Sequence, residues 1–345
     1  MRGFQMGKQF IVTSIDRDKK SGGSKAKKDI VHFLKKNLNF ENYNLSVENS
    51  NKLYIHWFMN VNFRHFVKQQ KPSLLLFQYP NLSFYVMNKM VTIYRHYCPH
   101  GKIVFLVHDI MGIQFQYLPD ILSQEIELFN RTDGLIVHNE KMNNYLTSKG
   151  VRVPMSNLGL FDYDSNTPLS TPSDSISDVS ICFTGNLGKS EFLRDLNINT
   201  PIHLYGTNPA SSYPNNMVYK GYYSADKIGD KLTEQYGLVW DGNDIHTCAG
   251  SLGKYLKLND PHKASLYLSS GIPIIIWSEA ALADIVLHYN AGIVVDDLTQ
   301  IDERLRKISY EQYKQMRNNA KELGKQIRQG FYVTHSVKEL IKKIQ

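Results

Sequence analysis

Short apolar runs recur along the chain and alternate with longer stretches that read as helices, which is the rhythm of a parallel sheet with crossover helices. Gln9 to Ile15, Leu74 to Phe77, Ile103 to Val107 and Gly134 to Val137 are β-rich and mostly uninterrupted, as strands buried on both faces are. The pattern stops at SNTPLSTPSDSISDVS, Ser165 to Ser180, where few side chains are able to join a core. It restarts with Val179 to Thr184, His203 to Tyr205, Gly237 to Trp240, Ile272 to Ile276 and Gly292 to Val295. The expected organisation is a Rossmann-like domain over residues 1–164, a linker over 165–179, a second αβ domain over 180–330, and a terminal helical segment, 331–345, packing back on the first domain. A helix pattern runs from Tyr310 to Ile327 and a basic one from Ser336 to Ile344, with Ser336 as its expected N-cap.

Composition narrows the class. Hydrophobic residues at 42% and charged residues at 21% are globular proportions, and three cysteines, Cys98, Cys182 and Cys248, match neither a disulfide scaffold nor a metal-ligand spacing. A reducing compartment follows. Neither uncharged apolar stretch, Pro72 to Asn88 or Ala264 to Ser278, reaches the ~20 residues of a membrane span, and the N-terminal apolar stretch is too short for a signal peptide. The expected location is the cytoplasm, with peripheral contact at the inner face of the cell membrane allowed by the charge. A net charge of +8 favours an anionic partner. Nucleic acid is not the expected one, since no known binding module or base-stacking signature is present.

The segment LNDPHKASLYLSSGIPIII, Leu258 to Ile276, carries the most chemistry. Asp260 reads as an N-cap, Pro261 as the first helical residue and Gly271 as the helix end. His262 and Lys263 then fall in the first turn, where basic side chains oppose the helix dipole unless an anion is bound. The bland alternative is a capped surface helix with incidental charges. In ICFTGNLGKSEFL, Ile181 to Leu193, a buried strand runs into Gly185, Asn186, Gly188 and Lys189, whose small residues let backbone N–H groups approach a ligand while the lysine reaches a phosphate or sugar hydroxyl. It is not a P-loop, because only two residues separate Gly185 from Gly188.

Lys263, Tyr267, Gly271 and Pro273 resemble the donor-binding helix of GT-B glycosyltransferases, with Leu266 where many of those enzymes have a ribose-binding glutamate. Together with HLYGTN at His203, KGYYSADKI at Lys220, GLVWDGN at Gly237, FQYP at Phe77, VFLVHDI at Val104, DGLIVHNEKM at Asp133 and GLFDY at Gly159, they resemble bacterial sugar transferases of the galactofuranosyltransferase and adhesin-glucosyltransferase group. The resemblance implies two Rossmann-like domains facing across a cleft, a UDP-sugar held mainly by the second, and transfer of a glucosyl or galactofuranosyl group, inverting and without a metal or cofactor. Its expected acceptor is a glycan, lipid-linked or protein-linked hydroxyl in surface polysaccharide or glycoprotein assembly, and a homo-oligomer is among the expected assemblies. Carried over by position, Lys189, Tyr222 or Tyr223, Asn259, Lys263 and Tyr267 touch the nucleotide, and Ser21, Gly22 and Gly23 form a small-residue loop facing the donor phosphates or the acceptor. Tyr267, one turn after Lys263, has packed core as its alternative.

His108 and Asp109 directly follow an apolar strand, which puts them at a strand's C-terminal end, where open αβ sheets place their ligands. One of them, Asp109 by preference, is the candidate general base; the alternative is a pair that ties down the next loop. His138 and Asn139 are similarly placed but read as loop architecture. Two Asp-x-Asp strings, at Asp16 and Asp162, invite a metal reading, yet with 20 aspartates random placement yields about one such string. The aromatic and basic stretch HWFMNVNFRHFVKQQK, His56 to Lys71, reads either as core or as an interfacial helix presenting Trp57, Phe58, Phe63 and Phe66. The rival functions are a non-catalytic nucleotide-sugar-binding or partner protein on the same fold, and a nicotinamide-dependent enzyme. SGGS after the first strand lacks the G-x-G-x-x-G spacing the latter needs.

Overall fold

The computed structural model describes residues 7–14, 22–47, 51–80, 83–114, 120–169 and 179–345. Ser21, the first Asp-x-Asp string and most of the expected linker lie outside them. The chain forms two compact units. One comprises the first strand, Lys27–Leu158 and Tyr332–Gln345; the other comprises Gly159–Phe331 together with the chain up to Ala26 that opens the helix Gly22–Leu38. The second unit thus starts ahead of the Ser/Pro-rich stretch, because Leu160, Phe161 and Tyr163 are buried in it and the Tyr163 N–H donates to Ile327 O at 3.2 Å.

The first unit holds a six-stranded parallel sheet of β1 (Gln9–Ser14), β2 (Glu41–Leu45), β3 (Leu74–Tyr79), β4 (Lys102–Val107), β5 (Gly134–Val137) and β6 (Met155–Asn157), in the order β2-β1-β3-β4-β5-β6. All six residues of β3 are buried, and the rings of Phe77, Tyr79, Phe105 and Phe129 pack over the central strands. Such two-sided burial makes these strands continuous apolar runs. The helix Phe331–Ile344 covers one end of the sheet: a Cβ on Gly134 would lie 2.9 Å from Leu340 Cδ1, so glycine is what lets this helix approach β5. Ser336 is not the N-cap but a mid-helix residue with no exposure, and its carbonyl accepts from Ser156 Oγ at 3.0 Å. Gly330, with φ 72°, makes the actual break before the helix.

The second unit repeats the plan with β7 (Ile181–Asn186), β8 (Ile202–Thr207), β9 (Met217–Gly221), β10 (Tyr236–Val239), β11 (Ile274–Trp277) and β12 (Gly292–Val295), all parallel and ordered β12-β11-β10-β7-β8-β9. The chain lays β2 to one side of β1 in the first sheet, and β8 and β9 to one side of β7 in the second, and then returns on the other side of that first strand. The order therefore reverses between β1 and β3 and between β7 and β10, and ligands of open αβ sheets bind outside the carboxyl ends of strands at such a reversal.

Candidate functional site

Lys263 sits at the reversal of the second sheet. Its helix is His262–Ser269; Pro261, with ψ 133°, stands just outside it, so the helix begins one residue later than the sequence suggests. The Lys263 ammonium donates to Asp241 Oδ1 at 2.9 Å and to Trp240 O at 3.2 Å, and lies 4.7 Å above the Phe183 ring. Trp240 and Asp241 directly follow β10 and Phe183 belongs to β7, so this cation is held over the two strands that flank the reversal. It retains 16% exposure and Asp241 32%.

Two polar atoms near the same helix start, Asn259 Oδ1 and His262 Nε2, are buried with no hydrogen-bond partner among the described residues. The imidazole packs beside Tyr163 and Phe161, with centroids 5.0 and 6.0 Å away; burial, and then the charge of Lys25, push its pKa down to about 3. It is neutral at physiological pH. Lys25 itself is 6% exposed, donates to Asp164 O at 2.6 Å, and stands 3.3 Å from Asp226 Oδ1 and 4.8 Å over the Tyr163 ring.

Glycines in this unit divide by what a side chain would meet. At Gly206 an added Cβ would be 1.8 Å from Gly185 O, and at Gly237 it would be 2.3 Å from the Tyr267 ring, so both are packing requirements. At Gly185 and at Gly23 it would meet nothing within 4 Å among the described residues. Gly185, with φ 141°, therefore owes its residue type to the backbone turn after β7, and the space above it is open to a ligand. Asn186 Oδ1 caps the following turn by accepting from Gly188 N at 3.1 Å and Asn208 Nδ2 at 3.0 Å, and Lys189 ends that turn exposed. Gly22 opens the first long helix, whose first residues group with this unit.

Tyr267 takes the core position. It has no exposed surface, and its hydroxyl accepts the Thr184 N–H at 2.8 Å and lies 3.0 Å from Thr184 Oγ1. It braces β7 from beneath. Leu266 is buried beside it. Tyr222 and Tyr223 follow the edge strand β9, two places from β7 in the sheet; Tyr222 is exposed and Lys231 stands over the Tyr223 ring at 5.6 Å. The structure thus gathers Lys263, His262 and Asn259 around one helix start and Gly185, Asn186 and Lys189 at the end of β7, with the two tyrosines further along the edge.

In the first unit a row of polar groups crosses the carboxyl ends of the strands. The Gln78 amide nitrogen donates to Thr13 Oγ1 and, at 3.1 Å, to Lys27 O, which leaves Gln78 Oε1 to accept from His108 Nε2 at 2.9 Å. His108 is thereby fixed with its proton on Nε2. His138, 2% exposed, donates Nε2–H to His108 O at 2.9 Å, and burial pushes its pKa down to about 4. Asn139 caps the next helix by accepting from Met142 N at 2.9 Å. Asp109 is half-buried, one oxygen accepting from Gln114 Nε2 at 2.5 Å. Behind it, the buried Glu125 carboxylate accepts from Met111 N, Gly112 N and Tyr79 Oη, holding the short helix Met111–Gln114 in place. No group of three His, Cys, Asp or Glu side chains among the described residues has metal-binding geometry.

Residues 8–160 match the glucosyltransferase 3-like N-terminal domain and residues 181–340 the glucosyltransferase 3-like C-terminal domain. The chain belongs to the glucosyltransferase 3-like family. Within its wider kin, it is 30% identical over 243 residues to the beta-1,6-galactofuranosyltransferase WbbI of Escherichia coli K12, covering 70% of this chain and 71% of that one. To glucosyltransferase 3 of Streptococcus gordonii it is 24% identical over 234 residues, 67% of this chain and 68% of the relative. AviGT4, a glycosyltransferase of avilamycin A biosynthesis, shares the fold with a TM-score of 0.57 at 12% identity over 98% of both chains. This glucosyltransferase 3-like protein is therefore a glycosyltransferase built from two Rossmann-like domains of the GT-B type.

Three residues at these sites escaped the sequence. Asp241 lies in the GLVWDGN string, but no spacing rule ties it to a lysine 22 positions later. Lys25 is one of six Lys and Arg between Arg17 and Lys28, and only burial distinguishes it. Thr184 looks like an ordinary strand residue until the Tyr267 hydroxyl is placed against it.

Proposed function

We propose that this glycosyltransferase moves a glucosyl or galactofuranosyl group from a UDP-sugar to a glycan or glycoconjugate hydroxyl, with inversion and without a metal, in surface polysaccharide or glycoprotein assembly. The observation that carries the donor assignment is the Lys263 ammonium held over β7 and β10 at the strand reversal. A diphosphate arriving there meets that cation and the start of the His262–Ser269 helix, and the exposed Lys189 extends the positive edge. The unpartnered Asn259 Oδ1 and His262 Nε2 are further polar atoms a nucleotide would satisfy. Open space above Gly185 and Gly23 supports close backbone approach.

In the reaction the acceptor oxygen forms a bond to the anomeric carbon while the bond from that carbon to the diphosphate oxygen breaks, and its electron pair leaves with UDP. Lys263 and the helix dipole stabilise that growing charge, the task a divalent metal performs elsewhere. The acceptor proton goes to a base. Asp109 is the preferred candidate, one of its oxygens accepting from Gln114 Nε2; His108, whose Nε2 donates to Gln78, would have to act through Nδ1. The test is transfer from UDP-glucose and UDP-galactofuranose in EDTA, with the product anomer read by NMR. Inverted product formed without metal is expected; strict dependence on manganese or magnesium overturns the metal-free reading, and a retained anomer overturns the base.

A further inference from the structure

The first unit carries an aromatic and aliphatic face that its own fold leaves uncovered. The helices Lys52–Phe58 and Arg64–Gln70 join without a break through the π-turn Met59–Phe63. Their inner side is core: Phe58, Met59, Phe63 and Val67 are buried, and Phe66 stacks on Tyr43 at 4.0 Å. On the outer side Leu53 is 83% exposed, Trp57 48% and Val61 47%, with Tyr54 beside Trp57 at 5.7 Å and Tyr85 bonded to His56 Nδ1 at 2.8 Å. Positions 53, 57 and 61 recur every four residues, so they form one stripe.

The charge along this stretch of the chain has one sign. From Asn49 to His108 the sequence contains no aspartate or glutamate but seven Lys and Arg. Of these, Arg95 pairs with Asp133, whereas Lys52, Arg64, Lys68 and Lys71 are exposed and have no acidic partner among the described residues. Exposed apolar side chains cost nothing in hydrocarbon, Trp and Tyr rings suit the headgroup boundary, and unpaired cations are attracted to anionic lipid.

We propose that this face docks the protein on an anionic lipid bilayer, with Leu53, Trp57 and Val61 entering the headgroup and acyl boundary and Lys52, Arg64, Lys68 and Lys71 contacting lipid phosphates. A second copy of the chain is a poor occupant, because two faces each presenting Lys52, Arg64, Lys68 and Lys71 repel. Nucleic acid offers phosphates but no hydrocarbon for Leu53 and Val61. This inference does not depend on the donor assignment.

Trp57 supplies a direct probe, since the other two tryptophans, Trp240 and Trp277, are buried. Full-length protein is mixed with phosphatidylglycerol-containing vesicles and with pure phosphatidylcholine vesicles, and flotation and tryptophan emission are recorded. Binding and a blue shift are expected on the anionic vesicles only. Adding salt should weaken both. Leu53→Asp combined with Trp57→Asp should weaken binding at least tenfold, and Lys52→Gln/Lys68→Gln/Lys71→Gln by roughly a hundredfold. Both sets change exposed residues, and circular dichroism with transfer to a water-soluble acceptor should remain at wild-type levels. No flotation at low salt, equal binding to both vesicle types, unaltered binding by the variants, or capture of RNA or self-association through this face in place of vesicles would each overturn the proposal. Loss of transfer in every variant and in the wild type alike would instead strike the functional reading and leave the membrane result standing.

Discussion

Replacing Lys263 with alanine tests the donor site most directly. The wild-type ammonium has one carboxylate partner among the described residues, Asp241 at 2.9 Å, and a bound diphosphate would add a second anion to the same cation. Loss of a charge-assisted bond costs about 1.5–3 kcal/mol, roughly a 10- to 150-fold rise in Kd for UDP. The variant also leaves Asp241 uncompensated where the diphosphate arrives, which adds about 1 kcal/mol of repulsion at an effective dielectric well above that of a dry interior. Asp241→Asn in the Lys263→Ala background should therefore recover roughly five- to tenfold of the affinity. Folding should change by only about 1 kcal/mol, because Asp241 keeps 32% exposure and water solvates the orphaned carboxylate. Turnover should fall more than KM rises, since the leaving oxygen gains charge toward the transition state. Isothermal titration with UDP, steady-state kinetics and thermal melting read the three quantities. A folded Lys263→Ala protein whose UDP affinity and kcat stay within about threefold of wild type would refute the assignment.

Acid should destabilise the protein below neutrality through its two buried neutral histidines, His138 and His262, whose folded pKa values of about 4 and about 3 lie below the unfolded value near 6.5. Between those values the unfolded chain binds more protons than the native one, so their contribution is present in full above the unfolded pKa and is lost as pH falls through and below it. Urea midpoints at pH 7, 5 and 4 should fall progressively, and His138→Gln should flatten the slope; an unchanged slope would show that His138 is not neutral in the native state. Tyr267→Phe should leave the Thr184 N–H buried and unsatisfied, costing about 1–3 kcal/mol, with UDP affinity nearly unchanged in protein that remains folded. A selective loss of UDP affinity at unchanged melting temperature would return Tyr267 to the ligand side.

The strands plainest in the sequence are those enclosed on both faces. β3, β4, β5 and β10 are nearly uninterrupted apolar runs because neighbouring strands and covering layers leave no solvent side. β2, reading ENYNL, and β9, with three exposed residues in the middle of MVYKG, are edge strands whose polarity hides them from a hydrophobic pattern. Ser336 misled for a related reason. A serine before an apolar run has the form of an N-cap, but Val333, Val337, Leu340 and Ile344 continue the same buried stripe on both sides of it. At the site, sequence located Lys263 and the turn at Gly185 because helix starts and glycine turns are local features. Tyr267 was not decided, since helical spacing sets the angle between two side chains but not which one faces the sheet.

Because β1 to β6 and the helix Phe331–Ile344 belong to one unit, the order of synthesis matters. On the ribosome the whole second unit emerges before the helix that seats against Gly134, so that unit is able to fold while the first one still waits for its final piece. During that interval the β5 surface that Leu340 and Ile344 later cover is bare, a target for chaperones and proteases. A gene fragment ending near residue 158 would lock the first unit in that half-made state. Separating the two units by cloning thus calls for grafting the helix back, for example through a short connection after β6, rather than for a single cut.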